Sequence, residues 1–287
     1  MDVSVVGAGR VGTALAVGLR RAGHRILAVS GGSSTADRVA QYLPGVPVVA
    51  AAEAAREAEV VLIATPDHLI EQTCVALARA SSFGDGCAVA HLSGATSLDA
   101  LSAARSVGAT VLSIHPLQTF PDVDLALARL AGSGVAVTAL SEPGFALGER
   151  LATDVGGCPF RLPDEAKPLY HAAAVFASNY LVSVLALAEG LLEDVGLPEP
   201  MAALLPLSRA TLDNVEVVGT AAALTGPAVR GDAGTVARNL DALAGHAPSA
   251  IPVYVALASV ALDLGERSGR LSPEGRSAVE EVLGRWR

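Results

Sequence analysis

Short apolar runs alternate with amphipathic stretches through the first half of the chain. The runs are too continuous to leave one face in water, which is typical of strands buried between two layers of helices. Their positions predict strands at residues 3–6, 26–29, 46–49, 60–64, 87–92, 110–114 and 134–138. The stretches between them predict helices at residues 13–22, 35–42, 53–58, 69–80 and 97–104. This alternation predicts an α/β fold with a doubly wound parallel sheet.

After Leu162 the pattern changes to long helical segments rich in Ala and Leu and punctuated by prolines. A chain of 287 residues also exceeds what one hydrophobic core usually organises. We therefore predict two domains, an α/β domain over residues 1–162 and an all-α domain over residues 163–287.

The charge balance narrows the range of partners. The formal net charge is −9 and no run of Lys or Arg occurs, which argues against a nucleic-acid or anionic-membrane surface. The most apolar stretch, residues 172–188, contains Ser178, Asn179, Tyr180 and Ser183. Such polar interruptions indicate a buried helix at a domain or subunit interface rather than a membrane span. We expect neither nucleic acid nor membrane as a partner.

The cysteines indicate the cellular compartment. Cys74, Cys87 and Cys158 are widely spaced and lack the spacing of metal ligands, so we expect buried thiols and no metal site. Strand-like residues begin at Val3, so no signal peptide is expected. Together these features predict a cytoplasmic protein.

A glycine-rich turn joins the first predicted strand to the first helix and reads Gly7-Ala8-Gly9-Arg10-Val11-Gly12. In this strand-turn-helix setting the spacing is typical of a Rossmann dinucleotide site. Gly7 permits the tight turn, Gly9 lets a pyrophosphate approach the backbone, and Gly12 lets the helix pack closely. The backbone N–H groups of the loop, including those of Arg10 and Val11, are free to bind phosphate. We therefore expect the pyrophosphate at the helix N-terminus.

The end of the second strand predicts which dinucleotide binds. Sites for NAD usually carry Asp or Glu there, to bind the ribose 2′-hydroxyl, whereas this chain has Ser30, followed closely by Ser33. Arg10 and Arg38 add guanidinium groups that suit a 2′-phosphate. We therefore predict NADP(H) in preference to NAD(H). Thr65 and Pro66, which follow a later strand, are expected near the nicotinamide ribose.

Two further predicted strands end in polar residues that suit substrate binding. Ser93 and the Gly94 N–H follow one strand and are candidates for binding a substrate carboxylate. His115 follows the next and is a candidate for orienting the substrate or donating a proton. Either His115 or His91 is equally well explained as a core or hinge residue.

Candidate catalytic residues lie at the start of the second predicted domain. Lys167, His171 and Ser178 fall within an arc of about 40° on a helix, with Asn179 nearby. A cation near a helix N-terminus has a lowered pKa, which suits a proton donor for carbonyl or imine reduction. The sequence leaves open whether Lys167 or His171 donates the proton, and a solvated Lys with an interface His is the plainer alternative. Pro168 suggests that Lys167 caps the helix.

A polar loop interrupts the helical domain at residues 225–232. Arg230 is a candidate clamp for a substrate carboxylate. Asp232 is expected to cap the next helix or to pair with Arg230.

These motifs resemble a family that joins a Rossmann-like NAD(P)-binding domain to a C-terminal domain of unknown function 2520. The resemblance spans nearly the whole chain and rests on the glycine turn, His91-Leu92-Ser93-Gly94, His115-Pro116-Leu117-Gln118-Thr119-Phe120, Tyr170-His171-Ala172-Ala173 with Ser178-Asn179, and Thr225-Gly226-Pro227 with Arg230-Gly231-Asp232.

The chain is more distantly similar to pyrroline-5-carboxylate reductase, ketopantoate reductase and the β-hydroxyacid dehydrogenases. This resemblance implies a helical second domain of the 6-phosphogluconate dehydrogenase C-terminal type, and a homodimer formed through it. The β-hydroxyacid enzymes use a Lys and an Asn on one helix, which Lys167 and Asn179 resemble at a wider spacing.

Two functions fit the sequence. The first is an NADPH-dependent oxidoreductase that reduces a small carboxylate-bearing keto or imino substrate, similar to ketopantoate or a 2-oxo acid. The second is an NADP(H)-binding sensor or assembly protein without catalysis, because a fold alone does not decide function.

Overall fold

The computed structural model describes all 287 residues. The chain divides into two compact units, Met1–Ser178 and Asn179–Arg287. This division assigns the first helix after Leu162 to the first unit. The boundary predicted near Leu162 stays a prediction.

The first unit is organised around a seven-stranded sheet with the order β2-β1-β3-β4-β5-β6-β7. Strands β1 to β5 are parallel. Strands β6 and β7 are parallel to each other and antiparallel to β5, a reversal that the pattern did not indicate. The predicted doubly wound fold is confirmed. The strands are β1 (Asp2–Val6), β2 (Arg25–Ser30), β3 (Val60–Ile63), β4 (Ala88–His91), β5 (Thr110–Pro116), β6 (Gly134–Ala139) and β7 (Cys158–Arg161).

Both faces of the sheet are buried. Successive residues of a strand point to opposite sides of the sheet and pack into different hydrophobic clusters. In β3, Val60 and Leu62 join one hydrophobic cluster while Val61 and Ile63 join another. The helices of this unit are α1 (Arg10–Arg21), α2 (Thr35–Tyr42), α3 (Ala51–Ala55), α4 (Ile70–Arg79), α5 (Ser102–Ser106), α6 (Val123–Leu130), α7 (Glu142–Asp154) and α8 (Lys167–Ala177).

Two sequence-based expectations for this unit are wrong. Residues 46–49 form a single bridge between Val29 and Val48 rather than a strand, because the segment lies at the sheet edge and Pro47 has no N–H to donate. Cys158 is exposed because it begins the edge strand β7, whereas Cys74 and Cys87 are buried as predicted. The pattern also gave no indication of α6, α7 or β7.

The second unit is all helical, as predicted. Its core lies among the last three helices, where Leu240, Leu262 and Leu283 are buried. Two apolar helices fall outside this core, since α9 (Asn179–Asp194) buries none of its residues and α10 (Pro200–Ala223) buries only Pro200. Helix α10 is interrupted at Gly219, whose φ is 76°. The helices are α9 (Asn179–Asp194), α10 (Pro200–Ala223), α11 (Ala233–His246), α12 (Ile251–Arg267) and α13 (Pro273–Gly284).

Two helical stretches, Asp164–Asp194 and Pro248–Arg267, are long and apolar enough to cross a membrane by length and composition alone. One or two such helices are weak evidence of a membrane span.

Candidate functional site

A cleft of about 520 Å³ opens at the carboxyl ends of β1, β2 and β3. Ligands of open α/β sheets bind at this edge because loops and helix N-termini converge there. Six of the predicted cofactor residues line the cleft, whereas Arg10, Val11, Gly12 and Ser33 do not. The six are Gly7, Gly9, Ser30, Arg38, Thr65 and Pro66.

The three glycines of the turn have distinct roles. Gly7 has a φ of 97°, and a Cβ there would lie 2.7 Å from the backbone of Ala64. A Cβ on Gly12 would lie 2.8 Å from the Gly7 carbonyl, so the close packing of α1 requires glycine. A Cβ on Gly9 would meet nothing nearer than the Gly7 carbonyl at 3.9 Å. The fold therefore does not need glycine at position 9, but a ligand at the backbone would.

Helix α1 begins directly after the turn and presents unpaired amides. The N–H groups of Arg10, Val11 and Gly12 occupy its first turn, where no carbonyl of the helix can accept them. The Arg10 guanidinium donates to the carbonyl of Pro121 at 2.9 Å. Arg10 thus offers its amide at the helix N-terminus while its side chain is tied to the loop before α6.

Arg38 is the only charged residue that lines the cleft. Its Nη1 donates to the Ala8 carbonyl at 2.7 Å, and its Nη2 donates to the Ser34 hydroxyl at 3.1 Å. The Ser30 carbonyl accepts the N–H groups of Gly7 and Ala8, which fastens the glycine turn to β2. Ser34, rather than the predicted Ser33, lines the cleft.

A second polar cluster lies at the carboxyl ends of β4 and β5 and surrounds Lys167. This residue is the only lysine in the chain, and 1% of it is exposed. Its Nζ donates to the Ser93 carbonyl at 3.1 Å and to the Ser113 hydroxyl at 2.6 Å. Burial lowers the pKa of Lys167 to about 8, against the opposing effect of the Asp164 and Asp67 carboxylates.

Ser93 organises the loop after β4. Its hydroxyl donates to the Asp67 carboxylate at 2.7 Å and accepts the N–H groups of Ala95 and Thr96. The Ser93 hydroxyl is therefore fully engaged within the protein.

The same loop is tied to the start of α8. The Asp164 carboxylate accepts the Ser97 hydroxyl at 2.5 Å and the Leu98 N–H at 3.0 Å. Together with the contacts of Lys167, these bonds fix where α8 begins relative to β4 and β5.

Two histidines flank Lys167. His91 is fully buried, and its Nδ1 accepts the Ser93 N–H at 3.2 Å. Burial, followed by the charge of Lys167, lowers the pKa of His91 to about 3. Burial and the same charge lower the pKa of His115 to about 4, so both imidazoles are neutral at physiological pH. His115 Nδ1 lies 2.8 Å from the Tyr170 hydroxyl.

Gly94 leaves room for the His115 ring. A Cβ on Gly94 would lie 2.7 to 2.9 Å from Cε1, Nδ1 and Nε2 of that imidazole. We expect Gly94→Ala to displace His115 and to lower the free energy of unfolding by about 1–3 kcal/mol, as overpacking usually does. The urea midpoint measures this loss. Gly84→Ala is the control because a Cβ there meets nothing; equal midpoints for the two variants would show that the ring is not confined.

The remaining predicted site residues are more dispersed. His171 is exposed on α8, in contrast to buried Lys167, and Ser178 ends that helix. Asn179 and Arg230 belong to the second unit. The predicted cap is confirmed, since Asp232 accepts the Thr235 N–H at the start of α11.

Sequence reasoning missed several members of the second cluster, and the signals for them were weak. Asp67 immediately follows the predicted Pro66, and Tyr170 stood within a recognised motif. Ser113 lies inside β5, where a strand prediction gives no reason to single out a hydroxyl.

Family models cover both parts of the chain. Residues 1–116 match the Rossmann-like domain, and residues 133–261 match a domain of unknown function, DUF2520. The chain joins a Rossmann-like domain to a DUF2520 domain. The resemblance inferred from the motifs is confirmed. No curated protein sequence matches the chain.

Solved structures share the fold of this Rossmann-DUF2520 chain. A proposed NADP oxidoreductase from Bacteroides fragilis is 24% identical, with a TM-score of 0.75 over 91% of this chain and 98% of its own. Protein TM1727 from Thermotoga maritima is 24% identical, with a TM-score of 0.73 over 93% and 100%. Pyrroline carboxylate reductase from Plasmodium falciparum, solved with NADP bound, is 11% identical, with a TM-score of 0.61 over 97% and 98%.

Proposed function

We propose that this protein is an NADPH-dependent oxidoreductase that reduces a small carboxylate-bearing keto or imino substrate. The observation that carries the proposal is the continuity of its two polar clusters. Pro66 lines the glycine-turn cleft, and the next residue, Asp67, binds Ser93, whose carbonyl holds Lys167. A dinucleotide whose nicotinamide end lay near Pro66 would be next to the loop that holds Lys167, the proposed proton donor. The names of the structural neighbours agree with this reaction class.

The composition of the cleft favours NADP(H) over NAD(H). No Asp or Glu lines it, and Arg38 is fixed beside the adenosine side of the glycine turn by two hydrogen bonds. A guanidinium group binds phosphate through paired hydrogen bonds, whereas a carboxylate there would repel it. The space above Gly9 and the amides of α1 fit a pyrophosphate.

We expect Arg38→Ala to weaken NADPH binding about ten- to hundredfold, the effect of losing one hydrogen bond to a charged group. NADH affinity should change little, because NADH lacks the 2′-phosphate. Quenching of intrinsic fluorescence on titration with each cofactor measures both affinities. An equal loss of affinity for NADPH and NADH would mean that Arg38 supports the glycine turn rather than binding the 2′-phosphate.

The dinucleotide, when bound, supplies the hydride. Lys167 is proposed to supply the proton, because its pKa of about 8 places proton release near the operating pH. Ser113 and the Ser93 carbonyl hold the ammonium group in place. The proposals for His171 as an alternative donor and for Asn179 as a catalytic residue, and those for Ser178, Arg230 and Asp232 in substrate binding, continue to rest on the sequence.

The test is NADPH oxidation across a panel of 2-oxo acids, ketopantoate and cyclic imino acids. We expect turnover of at least one member, and its loss in Lys167→Met. A protein that binds NADPH and reduces no member would contradict the substrate class.

A second candidate function, a non-catalytic NADP(H) sensor, is favoured by one observation. Lys167 already has two acceptors inside the protein and is almost fully enclosed. A sensor would bind NADPH and change its oligomeric state without hydride transfer. Sedimentation of the protein with and without NADPH, beside the substrate panel, separates the two functions.

We also propose a cytoplasmic homodimer formed through the second unit. The exposed apolar side chains of α9 and α10 support the dimer, and they include Leu181, Val184, Leu207, Leu212 and Val217. The three free cysteines are consistent with a reducing compartment.

A further inference from the structure

Tyr170 and His115 form a confined pair at the carboxyl end of β5. Their hydrogen bond is 2.8 Å long, and the two rings meet edge to face at 5.5 Å. Phe160 packs against Tyr170 with ring centroids 6.0 Å apart, and Gly94 lies against the imidazole. Tyr170 and Gly94 therefore confine His115 directly, and Phe160 supports Tyr170.

Which group donates in this hydrogen bond depends on the His115 tautomer, and the chemistry of the pair favours Tyr170 as the donor. Burial raises the pKa of Tyr170 to about 12, so the phenol keeps its proton. Its hydroxyl has no other partner, and partly buried hydroxyl hydrogens find acceptors. The neutral imidazole must then accept at Nδ1, which places its one proton on Nε2.

The Nε2–H of His115 makes no hydrogen bond within the protein, and it is not enclosed as His91 Nε2 is. The neighbouring N–H of Gly94 is also unused, whereas those of Ala95 and Thr96 bond to the Ser93 hydroxyl. Two uncharged donors therefore lack a partner within the protein: the His115 nitrogen, and the N–H of Gly94, which is buried against the imidazole.

We propose that Tyr170 is a positioning residue that holds His115 as its Nε2–H tautomer, and that this N–H, with that of Gly94, binds the substrate carboxylate. The inference rests on the proposed reductase function and specifies its substrate site. In this proposal the N–H groups of His115 and Gly94 take the carboxylate-binding role that the sequence suggested for Ser93, because the Ser93 hydroxyl is bonded to Asp67. His115 transfers no proton in this arrangement, because a neutral imidazole cannot readily release its only one; that role stays with Lys167.

The charges around His115 favour an anion. Lys167 and His171 are the nearby basic groups, and Asp67 is the nearby acid. Asp67 is itself bound to Ser93. The charge of Lys167 therefore attracts the substrate carboxylate, while the two neutral N–H donors orient it. Neither of these donors takes over proton transfer from Lys167.

Nitrogen-15 NMR of histidine-labelled protein tests the tautomer without any need for activity. Comparison with His115→Gln assigns the His115 signal among the six histidines. At pH 7 we expect the Nε2–H tautomer in the wild type and a mixture of tautomers in Tyr170→Phe. An Nδ1–H tautomer in the wild type, or an identical spectrum in Tyr170→Phe, would overturn the role of Tyr170.

Carboxylate binding is tested on the NADPH-loaded protein with pyruvate, oxalate and acetate. We expect at least one of the three to shift the His115 Nε2 signal in the wild type; an unmoved signal with all three overturns the site. With a substrate from the panel, His115→Asn should raise KM about ten- to hundredfold with a smaller change in kcat. His115→Gln, whose amide reaches near Nε2, should recover most of the loss. If the protein turns over no substrate but the tautomer result holds, the proposed reaction is contradicted and the role of Tyr170 is not.

Discussion

Replacing Gly9 by alanine is expected to abolish measurable NADPH binding while the protein stays folded. Gly9 has a φ of −72°, which any residue adopts, and an added Cβ has 3.9 Å of clearance from its nearest protein atom. The methyl group would instead occupy the space that a pyrophosphate needs above the amides of α1. We expect affinity to fall at least about a hundredfold, equivalent to roughly 3 kcal/mol, because the phosphate would lose several charge-assisted hydrogen bonds.

Calorimetric titration with NADPH measures the loss, and thermal unfolding checks the fold. Gly84→Ala is the matched control, since its Cβ is equally free of contacts and lies away from the cleft. Gly7→Ala is the opposite control, because strain at a φ of 97° and contact with Ala64 should lower its melting temperature as well. Undiminished NADPH affinity in Gly9→Ala would place the cofactor elsewhere.

Lys167→Met is expected to lose most reductase activity without losing stability. Removing a general acid typically slows a reaction about 10²- to 10⁴-fold. Methionine fills a similar volume without a charge, so the burial penalty of the ammonium disappears. With the pKa lowered from 10.5 to about 8, that penalty is roughly 3 kcal/mol at neutral pH. The two lost hydrogen bonds of the ammonium, worth about 1.5–3 kcal/mol each, offset this gain, so the net change in stability is expected to be small.

The sign of the pH dependence follows from the lowered pKa. The unfolded chain binds the Lys167 proton more tightly than the folded one, so stability rises with pH between about 8 and 10.5. Below pH 8 the penalty is fully present. Urea unfolding at several pH values should show this rise in the wild type and not in Lys167→Met.

Because Lys167 is the only lysine, selective carbon-13 labelling gives one Cε signal that reports its titration directly. A measured pKa near 10.5, or a Lys167→Met variant with full activity, would contradict the proposed proton donor.

Periodicity and the glycine turn were sufficient to predict the Rossmann architecture and the cleft. Apolar runs such as that of β3 contain no polar position, which only a strand covered on both faces tolerates. The two edges of the sheet were harder to predict. At one edge Pro47 removes a ladder hydrogen bond, and at the other β7 is a largely exposed strand whose pattern resembles a loop.

The second cluster could be predicted only in part. The strand ends identified Ser93 and His115, but helical spacing could not distinguish buried Lys167 from exposed His171. That distinction arises from tertiary contacts, since the Lys167 Nζ donates hydrogen bonds to Ser93, in the loop after β4, and to Ser113, in β5. The hydrogen bond between Tyr170 and His115 joins residues distant in sequence and has no local signal.

The most direct test of the account is calorimetric titration of the wild-type protein with NADPH and with NADH. We expect one saturable site at which NADPH binds at least about tenfold more tightly than NADH, a difference of roughly 1.4 kcal/mol. Titrations that show no binding of either cofactor, or tighter binding of NADH than of NADPH, would contradict this expectation.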